Sequence, residues 1–183
     1  FLIGDVSGKG VPASLFMAIT RSLFRTLSQH VLSPAKIVTE MNNSISDNNE
    51  SNMFVTLIVG ILDLETGILK LCNAGHNPPI LIYPDGQVSY LEFKTQIFVG
   101  VVEDFKYSDE EVVLEKESKL FLYTDGVTEA ENINKELYGE EKLLEMLSDN
   151  ASSDVRTTVV LIRRGPSCDG IGATDLQCPA APR

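Results

Sequence analysis

The chain opens on an apolar run, Phe1 to Ile3, that stops at Gly4-Asp5 and gives way to a glycine-flanked turn ending at Gly10. This pattern predicts a buried strand closed by a carboxylate. From there Leu15, Ile19, Leu23 and Leu27 recur every fourth residue, which predicts an amphipathic helix. Pro12 falls in its first turn, where a missing N–H costs nothing. A second helix is predicted with Ser33 as N-cap, Pro34 after it, and Ile37, Val38, Met41 and Ile45 on its buried side. Residues 53–62 are apolar at both alternating phases, as in a strand covered on both faces. "DLETG" reads as a turn and "ILKLCNA" as the returning partner strand, broken by "GHNPP", residues 75–79. "ILIY" and "VSYLEF" form a hairpin about Asp85 and Gly86. Residues 111–126 give two more strands around a charged turn, "YGEEKLLEML" a short helix, and "TTVVLIRR", residues 157–164, a final β-branched strand.

Mostly antiparallel strands with two early helices predict an α+β fold, a layered β-sandwich flanked by helices. At 183 residues, 43% hydrophobic and 22% charged, the chain has the composition of one folded domain. Residues 1–164 are assigned to it; residues 165–183, rich in Gly, Pro and Ala, are read as a flexible tail or a cloning remnant. Because the first residue already lies in a strand-like run, the chain is expected to be a fragment of a longer protein.

Net charge −11 argues against a nucleic-acid partner, since the phosphate backbone is bound by clustered Lys and Arg. It suits cation binding, although a solvated acidic surface gives the same balance. No run is long enough for a membrane span and no signal-peptide pattern opens the chain. The odd number of Cys, 3, without metal-ligand spacing, fits a reduced, cytoplasmic setting.

"IGDVSGKGVPAS" has the look of a phosphate-cradling loop. That motif needs four residues between its first Gly and its Gly-Lys, then a Ser or Thr. Here only Asp5, Val6 and Ser7 separate Gly4 from Gly8, and Gly10 follows Lys9. Asp5 instead sits at a strand end, a position suited to holding a cation. Asp125 follows the run Leu120 to Thr124, and Asp154 precedes the last predicted strand. Hard divalent cations take oxygen ligands, and two of them can clamp a phosphoryl group. Asp at a turn also serves simply as a cap for backbone N–H groups. His76 reads as a loop histidine bonded to backbone more than as a metal ligand, since hard-ion sites prefer oxygen, Lys9 as a surface charge or a phosphate-steering group, and Glu129 as a solvated or capping residue more than as a ligand. From the residues alone, a metal-dependent phosphatase or nuclease site stays open beside these alternatives.

Three stretches, "GDVSGKGVPASLFMA", "MFVTLIVGILDLETGILKLCNAGHNPP" and "LFLYTDGVTEAEN", in that order, resemble the SpoIIE and RsbU branch of the metal-dependent protein phosphatases (PPM, protein phosphatase 2C-like). The resemblance covers residues 1 to about 163. It implies a β-sandwich flanked by helices, with two Mn2+ or Mg2+ ions at one end. It implies removal of phosphate from Ser or Thr of a partner, typically a phosphorylated STAS-domain antagonist of an anti-sigma factor. By resemblance Asp5 bridges both metals, the Val6 carbonyl binds one, Asp125 holds the second, and "DVRTTVVLI" nominates Asp154. Lys9, His76 and Asn77 fall near the phosphate, and Pro12, Leu15, Phe16 and Ile19 on a helix that couples an upstream sensor domain to the site. A homodimer is compatible with this reading. Family members carry a Gly-Gly-Asp on the preceding strand; this chain starts after it, so an N-terminally truncated fold is expected. A non-catalytic module of the same fold, binding a phosphoprotein or anti-sigma partner, is the competing reading, and another metal-dependent phosphoester hydrolase a third.

Overall fold

The computed structural model describes residues 1–47, 49 and 51–164, with residues 160–164 by backbone alone. Along the chain the elements run β1 (Leu2–Val6), α1 (Gly10–Leu27), α2 (Pro34–Ser46), β2 (Val55–Leu62), β3 (Ile68–Ala74), β4 (Ile80–Ile82), β5 (Val88–Tyr90), β6 (Glu110–Val113), β7 (Lys119–Phe121), α3 (Asp125–Thr128), α4 (Gly139–Asp149) and α5 (Val155–Arg164). Every pairing between these strands is antiparallel, so the α+β class expected from the pattern is the class observed. The described chain divides into two compact units.

The first unit comprises Phe1–Pro78 and Glu92–Lys116. Its sheet has the order β1-β2-β3-β6, leaving β1 at one edge. Helix α2 forms where predicted: the Ser33 side chain accepts from the Lys36 N–H, and Ile37, Val38, Met41 and Ile45 are buried. They pack with Val55, Leu57 and Val59 of β2 and Cys72 and Ala74 of β3 into one core. A residue far along the chain completes the cap, since Asp109 accepts from the Ser33 hydroxyl at 2.7 Å and from the Ala35 N–H. Val55, Leu57, Ile58 and Val59 are each fully buried, so both phases of β2 lie inside, as its continuous apolar run requires.

Helix α1 departs from its predicted stripe. Phe16, Leu23, Phe24 and Leu27 pack partly buried against the core, whereas Val11, Leu15 and Ile19 are 72%, 61% and 55% exposed. At 3.6 residues per turn a four-residue spacing drifts by about 40° per step, so a stripe begun at Leu15 winds away from the face that Leu27 presents. The observed face follows 16, 20, 23, 24 and 27, with the buried Thr20 hydroxyl satisfied by the Phe16 carbonyl at 2.9 Å.

The second unit comprises Pro79–Leu91 and the chain from Glu117. Its sheet has the order β5-β4-β7. The hairpin between β4 and β5 turns where Asp85 and Gly86 predict it: Gly86 has φ +89 and the Asp85 carboxylate accepts from the Gln87 N–H. Ile80, Ile82, Tyr123, Leu143 and Leu147 form the core. The Lys119 ammonium donates to the Ala151 and Ser153 carbonyls, tying β7 to the turn after α4. Strands β6 and β7, adjacent in sequence, belong to different sheets.

The last predicted strand is a helix, α5. Asp154 caps its first turn through the N–H groups of Arg156 and Thr157. β propensity reflects packing on a pleated neighbour more than an intrinsic backbone preference. Among the described residues no strand pairs with this segment, and the cap decides the outcome. The expectation for residues 165–183 lies outside the described residues.

Candidate functional site

Asp5 owes its position to three local features of the first unit. Phe1 and Gly60 exchange both backbone hydrogen bonds, at 2.8 and 3.0 Å, and the register continues through Ile3↔Ile58 and Asp5↔Thr56. Antiparallel pairs alternate between bonded and non-bonded types, so Leu2, Gly4 and Val6 direct their N–H and C=O groups away from β2. The Val6 carbonyl therefore faces the open edge of the sheet. Gly4 is required by close approach: a Cβ there would lie 2.7 Å from the Thr56 carbonyl oxygen. Beyond the strand, Ser7 holds both polar groups of Phe54, its N–H on the Phe54 carbonyl and its hydroxyl accepting from the Phe54 N–H, each at 2.9 Å. The Asp5 residue, between these anchors, is exposed.

Behind Asp5 lies a hydrogen-bonded row that the sequence reading did not anticipate. Thr56, opposite Asp5 in the register, places its hydroxyl 3.4 Å from the Asp5 carbonyl and 2.9 Å from His76 Nδ1. His76 is only 3% exposed. Its N–H donates to Asn73 Oδ1 at 2.8 Å, and Asn73 Nδ2 donates to its carbonyl at 3.0 Å, closing a short turn over Gly75. A signal for Thr56 existed: it is the polar side chain in the otherwise apolar run of β2. His76, nominated for the phosphate vicinity, is thus buried against the Thr56 hydroxyl, while Asn77 is half-buried and Lys9 exposed. Lys9 occupies the N-cap position of α1. Of the nominated helix residues Pro12, Leu15 and Ile19 are exposed, and Phe16 packs against the core.

In the second unit Asp125 opens the single turn α3. Its carbonyl accepts from the Glu129 N–H at 2.7 Å and the Thr128 hydroxyl at 3.2 Å, and the residue is exposed. Asp154 is differently placed. Oδ1 accepts from two N–H groups and Oδ2 from the Thr157 hydroxyl at 2.6 Å. The Thr157 hydroxyl first, and then its N–H, hold this carboxyl below its ordinary value of 3.8.

The donor chemistry fits hard divalent cations at Asp5, the Val6 carbonyl and Asp125, which offer oxygen from exposed or edge-facing positions. Asp154 does not fit as placed, because both of its oxygens serve the cap of α5. Among the described residues no three His, Cys, Asp or Glu side chains gather into a metal-holding group. Nor, among them, is any helix long and apolar enough to cross a membrane.

The family model for Stage II sporulation protein E (SpoIIE) matches residues 1–170. The chain belongs to the SpoIIE family. Phosphoserine phosphatase RsbU of Bacillus subtilis is 29% identical over 133 residues, covering 72% of this chain and 39% of RsbU. The SpoIIE-family chain spans 28% to 39% of the length of the curated relatives it matches. Among solved structures, the RsbU and RsbW domains of Rv1364c from Mycobacterium tuberculosis align with TM-score 0.75 at 23% identity, over 90% of this chain and 47% of that one. The catalytic domain of the serine/threonine phosphatase PstP, solved with two manganese ions, aligns with TM-score 0.61 at 14% identity, over 88% and 79%. These likenesses establish a PP2C-like phosphatase fold for the chain.

Proposed function

We propose that the chain is the metal-dependent serine/threonine phosphatase domain of a bacterial signalling protein. Its substrate is phosphoserine or phosphothreonine on a STAS-domain partner, and its cofactor is a pair of Mn2+ or Mg2+ ions. Family membership over residues 1–170 carries this reading, together with an exposed carboxylate at the end of β1. Bound ions of this kind supply hydroxide near neutral pH and neutralise phosphoryl oxygens. The residues' own share follows from their chemistry. Asp5 offers a charged oxygen ligand on a strand anchored at both ends, by the Phe1–Gly60 pair and by Ser7 on Phe54. The Val6 carbonyl adds a neutral oxygen at the sheet edge, and Asp125 a second carboxylate. Lys9, exposed at the start of α1, would attract a phosphate dianion. The exposed side of α1, with Val11, Leu15 and Ile19, is the surface on which an upstream sensor domain would act.

The test is phosphate release from a phosphoserine STAS protein by the full chain with Mn2+ and with EDTA. Metal-dependent turnover that Asp5→Asn abolishes is expected; turnover unchanged in Asp5→Asn overturns the assignment. Binding of the phosphoprotein without release would establish the non-catalytic reading, which the engagement of Asp154 in a helix cap favours.

A further inference from the structure

We propose that Thr56 and His76 are positioning residues for Asp5, their hydrogen-bonded pair holding the end of β1 so that the Asp5 carboxylate is presented to a divalent cation in one geometry. This rests on the reading of Asp5 as a metal ligand. Among the described residues β1 pairs with β2 alone, and Asp5 lies next to its last residue. The backbone at this end is held by the Asp5–Thr56 pairing and by Ser7 on Phe54, so what is left to fix is the direction of the Asp5 side chain. Thr56 stands directly opposite, and side chains of such a pair project from the same face about 4.5–5.5 Å apart. The Thr56 hydroxyl thus lies on the Asp5 side-chain face, while also reaching the Asp5 carbonyl at 3.4 Å. Its one proton serves both contacts if it donates to that carbonyl and accepts from His76 Nδ1–H at 2.9 Å.

His76 is well fixed for this task. Asn73 grips its N–H and its carbonyl, Gly75 takes φ +77 to make the turn, and Gly75 bridges to Leu57, the residue after Thr56. At 3% exposure the imidazole does not meet a protein substrate, so it acts through its neighbour. Packing alone does not account for Thr56. Valine has the same shape and would suit the apolar strand Val55–Leu62 better; what Thr adds is the hydroxyl. Partners of this kind around a metal ligand typically govern affinity by 10–100-fold.

The experiment is Mn2+ binding to the full chain, read from the signal of free Mn2+ by electron paramagnetic resonance, which needs no turnover, with melting temperature followed in parallel. Thr56→Val and His76→Gln are expected to raise half-saturating Mn2+ about tenfold or more. Thr56→Ser keeps the hydroxyl, and His76→Asn carries a nitrogen as many bonds from Cβ as Nδ1; both are expected to return to within about threefold of the parent. Should Thr56→Val fail to fold, the His76→Gln and His76→Asn pair decides the matter alone. Half-saturation unchanged in Thr56→Val and His76→Gln, with only melting temperature lowered, overturns the proposal. So does a loss that Ser and Asn fail to restore. Asp5→Asn is the separating arm: if it binds Mn2+ like the parent, the ligand reading itself falls, whereas a loss confined to Asp5→Asn removes only the positioning role.

Discussion

Gly75 is the hinge of the turn that delivers His76, and its replacement by Ala separates two costs. Gly75 has φ +77, a conformation that costs an L residue roughly 1–2 kcal/mol. An added Cβ would also overlap the Phe98 ring, which stacks on Phe54 with centroids 5.1 Å apart. Overpacking costs about 1–3 kcal/mol in general. Phe98 is 38% exposed, however, so its ring can turn outward, giving up a stack worth about 0.5–1.5 kcal/mol. The steric part therefore belongs at the lower end, and the total for Gly75→Ala at about 2–3.5 kcal/mol. Gly10 has the same φ of +77 with nothing within 4 Å of its added Cβ, so Gly10→Ala should show the backbone cost alone. Equilibrium urea unfolding of both variants measures the difference, expected at about 1 kcal/mol or more. In a Phe98→Leu background the excess should shrink, since the two sites are in contact. Equal destabilisation of the two glycine variants, within about 0.5 kcal/mol, would refute the steric argument.

Three further outcomes follow from other parts of the molecule. Asp109→Ala should cost about 1–3 kcal/mol in urea unfolding, because it leaves the Ser33 hydroxyl and Ala35 N–H without their charged acceptor; a loss below about 0.5 kcal/mol would contradict the capping role. Burial pushes the Cys72 thiol up to about 12, so with Cys168 and Cys178 replaced by Ser the native chain should resist alkylation at about pH 8; labelling as fast as in the urea-unfolded chain would contradict it. The Asp154 carboxyl, depressed by its bonds to Thr157 and Arg156, stabilises the α5 cap above its unfolded value and loses this as pH falls through the lower folded one. An NMR titration should place its midpoint below 3.8, with the Thr157 amide losing protection in step; a midpoint at or above 3.8 would contradict the cap.

Elements whose signals were both local and redundant were legible before the fold was known. Helix α2 had its Ser33 cap, Pro34 and a buried face in agreement, and the β4–β5 hairpin had Asp85-Gly86 between two apolar runs. The place of Asp5 near the end of a strand was legible as well, since the apolar run from Phe1 closes at Gly4-Asp5. Where one signal stood alone, context overrode it. The apolar spacing of α1 was real, but its phase relative to the core depends on the sheet beneath, which put Leu15 and Ile19 outside. The β-branched run after Asp154 needed a partner strand to stay extended, and the cap won. The Thr56–His76 row joins residues 20 apart through register and a turn at Gly75, a relation that periodicity along one strand does not reveal. Likewise the cap on α2 draws Asp109 from 76 residues beyond Ser33.

Calorimetric titration of the full chain with Mn2+, set beside the same titration of Asp5→Asn, asks whether the carboxylate at the end of β1 holds a cation. Saturable binding in the parent that falls at least tenfold in a folded Asp5→Asn is the predicted result. Identical isotherms for the two proteins, or no binding in the parent, would contradict it.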